Sequence, residues 1–313
     1  MPKETHPIPP IKKIAILGAG AMGGAYAAMF DTAEAFDTLF VARGPRAERL
    51  AQAGLIVNGK TLHLPVVQPD QTPAPADLII VALKDHHLKG ALDDLKPLVG
   101  KQTNIISIMN GLESEAVIGE AYGAEKLLLS IAVGIDALRD GNRIRYSNPG
   151  KILFGETRNR EISPRVRQLQ EAFTRAGIPH ETPEDMRRTL WWKFMINVGM
   201  NQASALMRAP YGVFQTSEDA RALMRALMQE VITLAQASDV NLAEADIEDW
   251  CAILQTLSPE GKTSMLQDIE AGRQTEVDVF GGKVVALGKA LGITTPVNAA
   301  LRHAIRGLEC PTS

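Results

Sequence analysis

Short apolar runs, separated by helical or turn-rich stretches, dominate the first half of the chain. The clearest of these runs are residues 13–17, 38–42, 77–83 and 104–109. Strands that are apolar on both faces are typical of parallel sheets that helices cover on both sides. The pattern therefore predicts an α/β unit built on a parallel sheet.

The middle of the chain predicts further elements of the same unit. Asn58-Gly59 favours a hairpin across residues 55–64, and Asp140-Gly141 favours a turn between two later strands. The strands expected to continue the sheet are 127–133, 143–146 and 151–154. The remaining predictions here are helices at 46–53 and 164–176, and a short last strand at 179–182.

The pattern changes to a helical one after residue 182. Thr182 is predicted to be a helix N-cap, because proline and two acids follow it in the first turn. Long helices are then predicted at 184–207, 217–238, 243–257, and 260–291 with an interruption. We therefore expect two domains, a parallel-sheet domain over residues 1–184 and an all-helical domain over 185–313.

A glycine-rich turn follows the first predicted strand and opens an alanine-rich helix. In the spacing G-x-G-x-x-G, Gly18 permits the tight turn, Gly20 admits a pyrophosphate, and Gly23 lets the helix pack closely. The helix N-terminus attracts the phosphates. This predicts a Rossmann-type domain, and the residues expected to bind its cofactor are Gly18, Ala19, Gly20, Ala21, Met22 and Gly23.

A secretory signal peptide is an alternative interpretation of the same stretch, because two lysines precede an apolar run with small residues. Four glycines within residues 18–24 and three prolines within residues 7–10 argue against it. The strands that follow favour the dinucleotide-binding interpretation. Residues 1–11 are polar and proline-rich, and they are expected to form a loose tail.

The end of the second predicted strand indicates which dinucleotide is bound. An acid there binds the ribose 2′-hydroxyl of NAD, whereas an arginine accommodates the 2′-phosphate of NADP. This position holds Arg43, with Arg46 three residues on and no acid beside it. NADP is therefore the expected cofactor, and the alternative is that Arg43 is an ordinary surface charge.

Composition excludes several classes of partner. The 313-residue chain is 45% hydrophobic and carries a net charge of −3, which does not favour nucleic acid. No apolar run is long enough to span a membrane, and six scattered histidines lack the spacing of a metal site. Two cysteines, Cys251 and Cys310, favour a reducing cytoplasm over a disulfide framework. The long helices of the second half are compatible with a homodimer.

Three polar residues recur four positions apart in a strongly apolar predicted helix. Lys193, Asn197 and Asn201 lie along one stripe, since each step turns only about 40° beyond a full circle. A lysine in such a helix commonly places its ammonium at the surface. Two asparagines in register with it favour a polar ligand, because an amide side chain both donates and accepts hydrogen bonds.

A second polar cluster lies between residues 263 and 278. In one straight helix, Ser264 and Glu276 would be about 18 Å apart, too far to share a small substrate. Gly272 followed by Thr275 predicts a helix break with a new N-terminus, which would bring the two positions together. The alternative for Glu276 is an ordinary acid at a helix start.

Together these segments resemble the ketopantoate reductase (2-dehydropantoate 2-reductase) family. The resemblance spans residues 14–301 and implies a Rossmann domain joined to a helical domain like that of 6-phosphogluconate dehydrogenase. It also implies NADPH-dependent reduction of a small 2-oxo acid, 2-dehydropantoate, to (R)-pantoate, in the synthesis of pantothenate and coenzyme A. The motifs that carry it are G-A-G-A-M-G, Leu83-Lys84, Met109-Asn110-Gly111, W-x-K-x-x-x-N-x-x-x-N, and Ser264-Met-Leu-Gln-Asp268 with Arg273-x-Thr275-Glu276.

The resemblance implies a role for each matching residue. The catalytic acid and its partner are Lys193 and Glu276. The substrate-binding positions are Asn110, Asn197, Asn201 and Ser264. Besides the glycine turn, the cofactor-binding positions are Arg43, Lys84, Asn110 and Glu276.

Two segments depart from the family pattern and leave the substrate open. Tyr211 stands where some members have a further substrate-contacting asparagine, and the loop at residues 109–113 has fewer glycines than in other members. Another branched 2-oxo acid, or oxidation of a 3-hydroxy acid, remains an alternative. A non-catalytic NADP-binding sensor is the alternative from a different class, because a fold does not fix a function.

Overall fold

The computed structural model describes residues 9–71 and 73–309. The chain divides between Met186 and Arg187 into two compact units. The strands of the described residues all lie in the first unit, and the chain beyond them is helical. The α/β class with a helical C-terminal region is thus confirmed. The assignment of residues 1–184 to NADP and of 185–313 to substrate stays a prediction.

The strands and helices of the first unit alternate along much of its length. In chain order the strands are β1 (Lys13–Leu17), β2 (Asp37–Val41), β3 (Leu55–Val57), β4 (Lys60–Leu62), β5 (Val66–Val67), β6 (Leu78–Val81), β7 (Asn104–Ser107), β8 (Leu127–Ile135), β9 (Leu138–Asp140), β10 (Arg143–Arg145), β11 (Pro149–Gly155) and β12 (His180–Glu181). The α-helices are α1 (Ala21–Thr32), α2 (Gly44–Ala53), α3 (Asp85–Ala91), α4 (Ser114–Tyr122) and α5 (Pro164–Arg175). Two 3₁₀ segments are Leu92–Leu98 and Ala124–Lys126.

The main sheet has eight strands in the order β12-β11-β8-β7-β6-β1-β2-β5. The six strands from β8 to β5 all run parallel to one another. If these six strands alone are numbered by their order in the chain, their order in the sheet, read from β5, is 3-2-1-4-5-6. This is the strand order of the doubly wound dinucleotide-binding fold. The Rossmann-type sheet expected from the sequence is therefore confirmed, with antiparallel β11 and then β12 added at one edge.

Both faces of this sheet are buried, which explains the continuous apolar runs. On one face, Ile14 and Ile16 of β1 belong to a core that α1 and α5 complete. On the other face, Ala15 and Leu17 join residues of α3, the following 3₁₀ segment and α4. Because side chains alternate along a strand, a strand covered by helices on both sides must be apolar at every position.

A second sheet of four strands, β4-β3-β10-β9, packs against α1. It contains the predicted hairpin, whose turn residues Asn58 and Gly59 both have positive φ, 47° and 82°. The prediction that residues 143–146 continue the main sheet is wrong, because β10 pairs with β3 instead. The pairing places Ile144 in the core beside α1, where it is fully buried.

The predicted loose tail at residues 1–11 is wrong at its last residue. Ile11 is fully buried and belongs to the core formed with α1 and α5. Arg175 of α5 donates a hydrogen bond to the carbonyl of Ile11, and Gln168 donates one to that of Pro9. Residues 1–8 lie outside the described part of the chain.

The chain from Met186 onward is built of helices. Its longest, α9, packs against the first of two π-helical segments and against its helical neighbours on several sides. The π segments are Asn197–Asn201 and Asp278–Gly282. The α-helices are α6 (Met186–Ile196), α7 (Gln202–Met207), α8 (Tyr211–Thr216), α9 (Glu218–Ala237), α10 (Glu244–Thr256), α11 (Ser264–Glu270), α12 (Lys283–Leu291) and α13 (Pro296–Leu308).

The predicted N-cap at Thr182 is wrong, because tertiary partners hold the residues that follow it outside the helix. The Thr182 hydroxyl accepts a hydrogen bond of 2.9 Å from Gln170 Nε2. Asp185 forms an ion pair of 2.8 Å and an isolated bridge with Arg158. Helix α6 therefore begins at Met186.

Gly199 allows the close contact between the first π segment and α9. A Cβ atom at this position would lie 2.4 Å from Cγ of Met228 and 2.9 Å from the carbonyl oxygen of Met224. We expect Gly199→Ala to lower the free energy of unfolding by about 1–3 kcal/mol, because a packed core tolerates added volume poorly. Urea unfolding monitored by circular dichroism measures this change.

Gly307→Ala is the matched control. Gly307 lies in α13, and a Cβ atom there would meet no heavy atom within 4 Å. Its replacement should leave stability unchanged or raise it by up to about 1 kcal/mol, since alanine restricts the unfolded chain more than glycine does. Equal stability of the two variants would contradict the proposed close contact.

Candidate functional site

The predicted cofactor residues of the first unit follow the ends of four adjacent parallel strands. The register places the last residues of β2, β1, β6 and β7 level with one another: Val41, Leu17, Val81 and Ser107. Within three residues of these ends lie the start of the glycine turn, Arg43, Lys84 and Asn110. The fold thus brings them to one edge, where open α/β sheets bind ligands at the point of reversed strand order.

The glycine turn has the shape that a dinucleotide requires. Gly18 has φ +110°, and a Cβ atom there would lie 2.4 Å from the carbonyl oxygen of Ala82. A Cβ atom at Gly23 would lie 1.9 Å from the carbonyl oxygen of Gly18, so α1 starts very close to the turn. At Gly20, by contrast, a Cβ atom would meet nothing within 4 Å. The turn is therefore closed towards the protein and open in front of the helix, which fits a diphosphate at the α1 N-terminus.

A buried hydroxyl network shapes the loop that carries Asn110. Ser107 Oγ donates to Ser114 Oγ at 2.8 Å, and the Ser114 hydroxyl donates to Glu115 Oε2 at 2.9 Å. The Met109 amide donates to Ser107 Oγ at 3.3 Å. Sequence reasoning missed these two serines, because single serines at a strand end and a helix start are common. Half-buried Asn110 is thereby held on a fixed loop.

Arg43 is engaged with the protein itself. Its Nε lies 3.1 Å from Oδ2 of Asp94, and its Nη2 donates to the carbonyl of Gly90. The Asp94 side chain is only 4% exposed. Burial raises the pKa of Asp94, and the Arg43 charge opposes that rise. The expected contact of Arg43 with a 2′-phosphate stays a prediction.

In the second unit, Lys193, Asn197 and Asn201 follow one another on a continuous helical path. Lys193 and Asn197 are half-buried and Asn201 is buried. The step from Lys193 to Asn197 crosses from α6 to the π segment, and the step to Asn201 lies within it. Four residues exceed one α-helical turn but fall short of one π-helical turn, so the second step reverses the angular drift of the first. The polar stripe is therefore straighter than a regular helix would make it.

The predicted helix break before Glu276 is confirmed. Helix α11 ends at Glu270, and Gly272 has φ +61°. Thr275 Oγ1 accepts a hydrogen bond of 3.2 Å from the Val277 amide, as the cap of a new helix that runs into the second π segment.

This arrangement gathers the elements that bear the predicted substrate residues. The first π segment, with Asn197 and Asn201, contacts both α11 and the second π segment. Ser264 is the first residue of α11 and is exposed, and half-buried Glu276 immediately precedes the helical residues that lead into the second π segment. Lys193 and Glu276 each have at least one hydrogen-bonding, ionic or ring partner.

Two contacts fix the loop that delivers Glu276. Arg273 Nε donates to Oδ1 of buried Asp268 at 2.8 Å, and the Arg273 amide donates to the Asp268 carbonyl at the same distance. The Thr275 amide donates to Glu309 Oε1 at 2.8 Å, and its hydroxyl donates to the same oxygen. The sequence motif contained Asp268 and Arg273 without a role for them. Glu309 carried no local signal, because it is distant in sequence.

Tyr211, the departure from the family pattern, packs beside the turn that precedes α11. Its amide donates to the Gly261 carbonyl at 2.9 Å. A Cβ atom at Gly261 would lie 2.7 Å from Cδ2 of the Tyr211 ring. Burial raises the pKa of Tyr211. Tyr211 therefore lies beside the turn that leads to Ser264, the first residue of α11.

Residues 9–71 and 73–309 contain no cluster of three or more histidine, cysteine, aspartate or glutamate side chains that could hold a metal ion. Among the helices of that same part of the chain, none combines the length and apolar character needed to cross a membrane. Cys251 is a free, half-buried thiol, and Cys310 lies outside the described residues.

The Asp268–Arg273 pair is expected to stabilise the second unit. Arg273→Ala should lower the free energy of unfolding by about 1–3 kcal/mol, because Asp268 is buried and its bond to the guanidinium is charge-assisted. Lys262→Ala is the comparison. It removes an exposed ion pair between Lys262, which precedes α11, and Glu270, the last residue of α11, and should lower the free energy of unfolding by at most about 1 kcal/mol. Denaturant unfolding compares the two, and a larger loss for Lys262→Ala would contradict the expectation.

Comparison with known proteins gives matches over most of the chain. The family model described as "Ketopantoate reductase PanE/ApbA" matches residues 14–159, and "Ketopantoate reductase PanE/ApbA C terminal" matches residues 185–309. A 2-dehydropantoate 2-reductase of Mesorhizobium japonicum is 30% identical, with 95% of this chain and 97% of the relative covered.

Solved structures give the same result. The crystal structure of 2-dehydropantoate 2-reductase from Geobacter metallireducens is similar with a TM-score of 0.83 and 29% identity, over 94% of this chain and 99% of that one. The ternary structure of a D-mandelate dehydrogenase with NADH and anilino(oxo)acetate has a TM-score of 0.85 at 22% identity, over 95% and 98% of the two chains. The latter likeness shows the shared fold.

Proposed function

The chain belongs to the ketopantoate reductase family of oxidoreductases, and we propose that it catalyses the NADPH-dependent reduction of 2-dehydropantoate to (R)-pantoate. This reaction is a step of pantothenate and coenzyme A synthesis. The observation that carries the proposal is the polar stripe of Lys193, Asn197 and Asn201, packed beside the helix that begins at Ser264 and the segment that follows Glu276.

The first unit supplies the cofactor site in this proposal. The bound nicotinamide nucleotide supplies a hydride to the ketone carbon. The glycine turn holds the diphosphate at the N-terminus of α1, and Lys84 and Asn110 line the same sheet edge. The presence of arginine and the absence of an acid after β2 support NADPH over NADH.

Lys193 is the proton donor. Hydride addition places a negative charge on the carbonyl oxygen, and a positioned ammonium group stabilises that charge before it transfers a proton. Lys193 is half-buried in a helix whose Trp191 and Phe194 are buried, and electrostatic interactions are stronger in partly buried surroundings than in water. Glu276 keeps Lys193 protonated as its carboxylate partner.

The amide and hydroxyl side chains orient the substrate. Asn197, Asn201 and Ser264 provide donors and acceptors for the hydroxyl and carboxylate of 2-dehydropantoate. Asn110 contacts the substrate and the nicotinamide. Fixed positioning of this kind lowers the barrier by removing the freedom of the reacting groups beforehand.

Replacement of the proton donor tests the mechanism. Lys193→Ala should reduce kcat at least about 100-fold, the loss typical of a general acid, while the affinity for NADPH changes little. Steady-state kinetics and NADPH fluorescence titration measure the two effects. Lys289→Ala, which removes an exposed lysine of α12, is the control and should keep wild-type turnover. Near-wild-type turnover of Lys193→Ala would refute the assignment.

A panel of substrates tests the identity of the 2-oxo acid. The highest kcat/KM is expected for 2-dehydropantoate with NADPH, measured by absorbance against other branched 2-oxo acids, against 3-hydroxy acids in the oxidative direction, and with NADH. A clear preference for another acid would support the alternative substrate that the departure from the family pattern at Tyr211 leaves open. Binding of NADPH without turnover of any compound would instead support a non-catalytic sensor.

We further propose a cytoplasmic location and a homodimer. Two cysteines without disulfide-type spacing support a reducing compartment. The long helices of the second half support self-association, and light scattering on the purified protein measures it.

A further inference from the structure

Arg139 reaches from the second sheet to the glycine turn. It lies on β9, and its Nε donates to the Gly141 carbonyl at 2.8 Å. Its Nη1 donates to the carbonyl of Ala19, inside the G-x-G-x-x-G motif. Two carbonyl oxygens therefore anchor this guanidinium at the mouth of the predicted dinucleotide site.

Arg46 and Arg49 bring further positive charge to the same place. Both belong to α2, which begins directly after β2, the strand adjacent to β1 in the sheet. Burial and the charge of Arg49 lower the pKa of Arg46, and burial and the charges of Arg46 and Arg49 lower the pKa of Arg139. Within the described part of the chain, none of these three arginines forms an ion pair with a carboxylate. The positive charges of Arg46 and Arg49 therefore act on Arg139.

Arg43 differs from these arginines because its charge is already compensated. Its guanidinium pairs with buried Asp94 and bonds to the Gly90 carbonyl. This pair connects the start of α2 to the segment after α3, and it is neutral as a whole. The uncompensated positive charge at this sheet edge therefore resides on Arg46, Arg49 and Arg139.

We propose that Arg46 and Arg139 bind the 2′-phosphate of the NADP adenosine and thereby select NADPH over NADH. The proposal rests on the cofactor part of the proposed function. With the diphosphate at the N-terminus of α1, the adenosine ribose lies at the end of β2, where α2 begins. Arg46 belongs to α2, and Arg139 reaches the glycine turn from β9. A phosphate dianion between two guanidinium groups would relieve their mutual repulsion and receive charge-assisted hydrogen bonds.

The cofactor diphosphate is the other anion that these arginines could bind. NADPH and NADH share that group, so binding it would raise affinity for both without selecting one. The ligand pair 2′,5′-ADP and 5′-ADP separates the two sources, because only the former has the 2′-phosphate and only the latter has the diphosphate. Binding of these ligands needs neither the substrate nor turnover.

Isothermal titration calorimetry on the full chain tests the proposal. Arg46→Ala and Arg139→Ala should each weaken binding of 2′,5′-ADP about tenfold or more, the loss expected for a charge-assisted contact, and leave that of 5′-ADP within about twofold. The kcat/KM ratio of NADPH to NADH should fall by a similar factor. Arg167→Ala, which removes an exposed arginine of α5, is the control and should leave both ligands unaffected. Unchanged binding of 2′,5′-ADP, or weakening confined to 5′-ADP, overturns the proposal.

The arms of the test also separate this proposal from the proposed reaction. If the wild-type protein binds NADH as tightly as NADPH, the cofactor part of the proposed function is wrong and this proposal is wrong with it. If 2-dehydropantoate is not reduced but the two variants lose 2′,5′-ADP, the substrate is wrong and this proposal holds. Unlike Arg139, the Arg46 side chain donates no hydrogen bond to a backbone carbonyl within residues 9–71 and 73–309, so Arg46→Ala decides the outcome if Arg139→Ala lowers the melting temperature.

Discussion

The close approach of α1 to the turn after β1 is the constraint on which the predicted nucleotide site depends. That site lies at the sheet edge where β2, β1, β6 and β7 end. A Cβ atom at Gly23 would lie 1.9 Å from the carbonyl oxygen of Gly18, so any side chain there would push the helix away and misdirect its free N–H groups. One residue later, a Cβ atom at Gly24 would lie 2.2 Å from Cδ1 of Ile144. The same helix therefore brings the second sheet beside the turn, and with it the residue that bonds to Ala19.

A different constraint applies in the second unit, where three polar side chains must lie on one face of a largely buried helical segment. A regular α-helix turns such a row gradually around its axis, whereas the π segment turns it back. Gly199 belongs to the same segment and allows α9 to pack there without a gap. The first π segment thus contributes both to the packing of the unit and to the alignment of Asn197 and Asn201 with Lys193. Around it, Asp268 and Glu309 hold the loop that leads to Glu276.

Charge at the nucleotide edge shows why position in the sequence is an incomplete guide to a role. Arg43 follows β2, where an arginine is expected to meet a 2′-phosphate, yet its guanidinium pairs with Asp94 of the 3₁₀ segment. Arg139 is separated from Ala19 by 120 residues, and only the second sheet brings them together.

Local patterns predicted five of the six parallel strands, the glycine turn, the hairpin at Asn58-Gly59 and the break after Gly272, because steric and periodic rules act within a few residues. The sixth strand, β5, has only two residues and carries no such pattern. The pairing of β10 with β3 and the burial of Ile11 depend instead on tertiary contacts. The same is true of Thr182, whose hydroxyl bonds to Gln170 instead of capping a helix. Each of these depends on a partner far along the chain, and a local pattern contains no information about which distant group will compete for the same hydrogen bond or cover the same apolar surface.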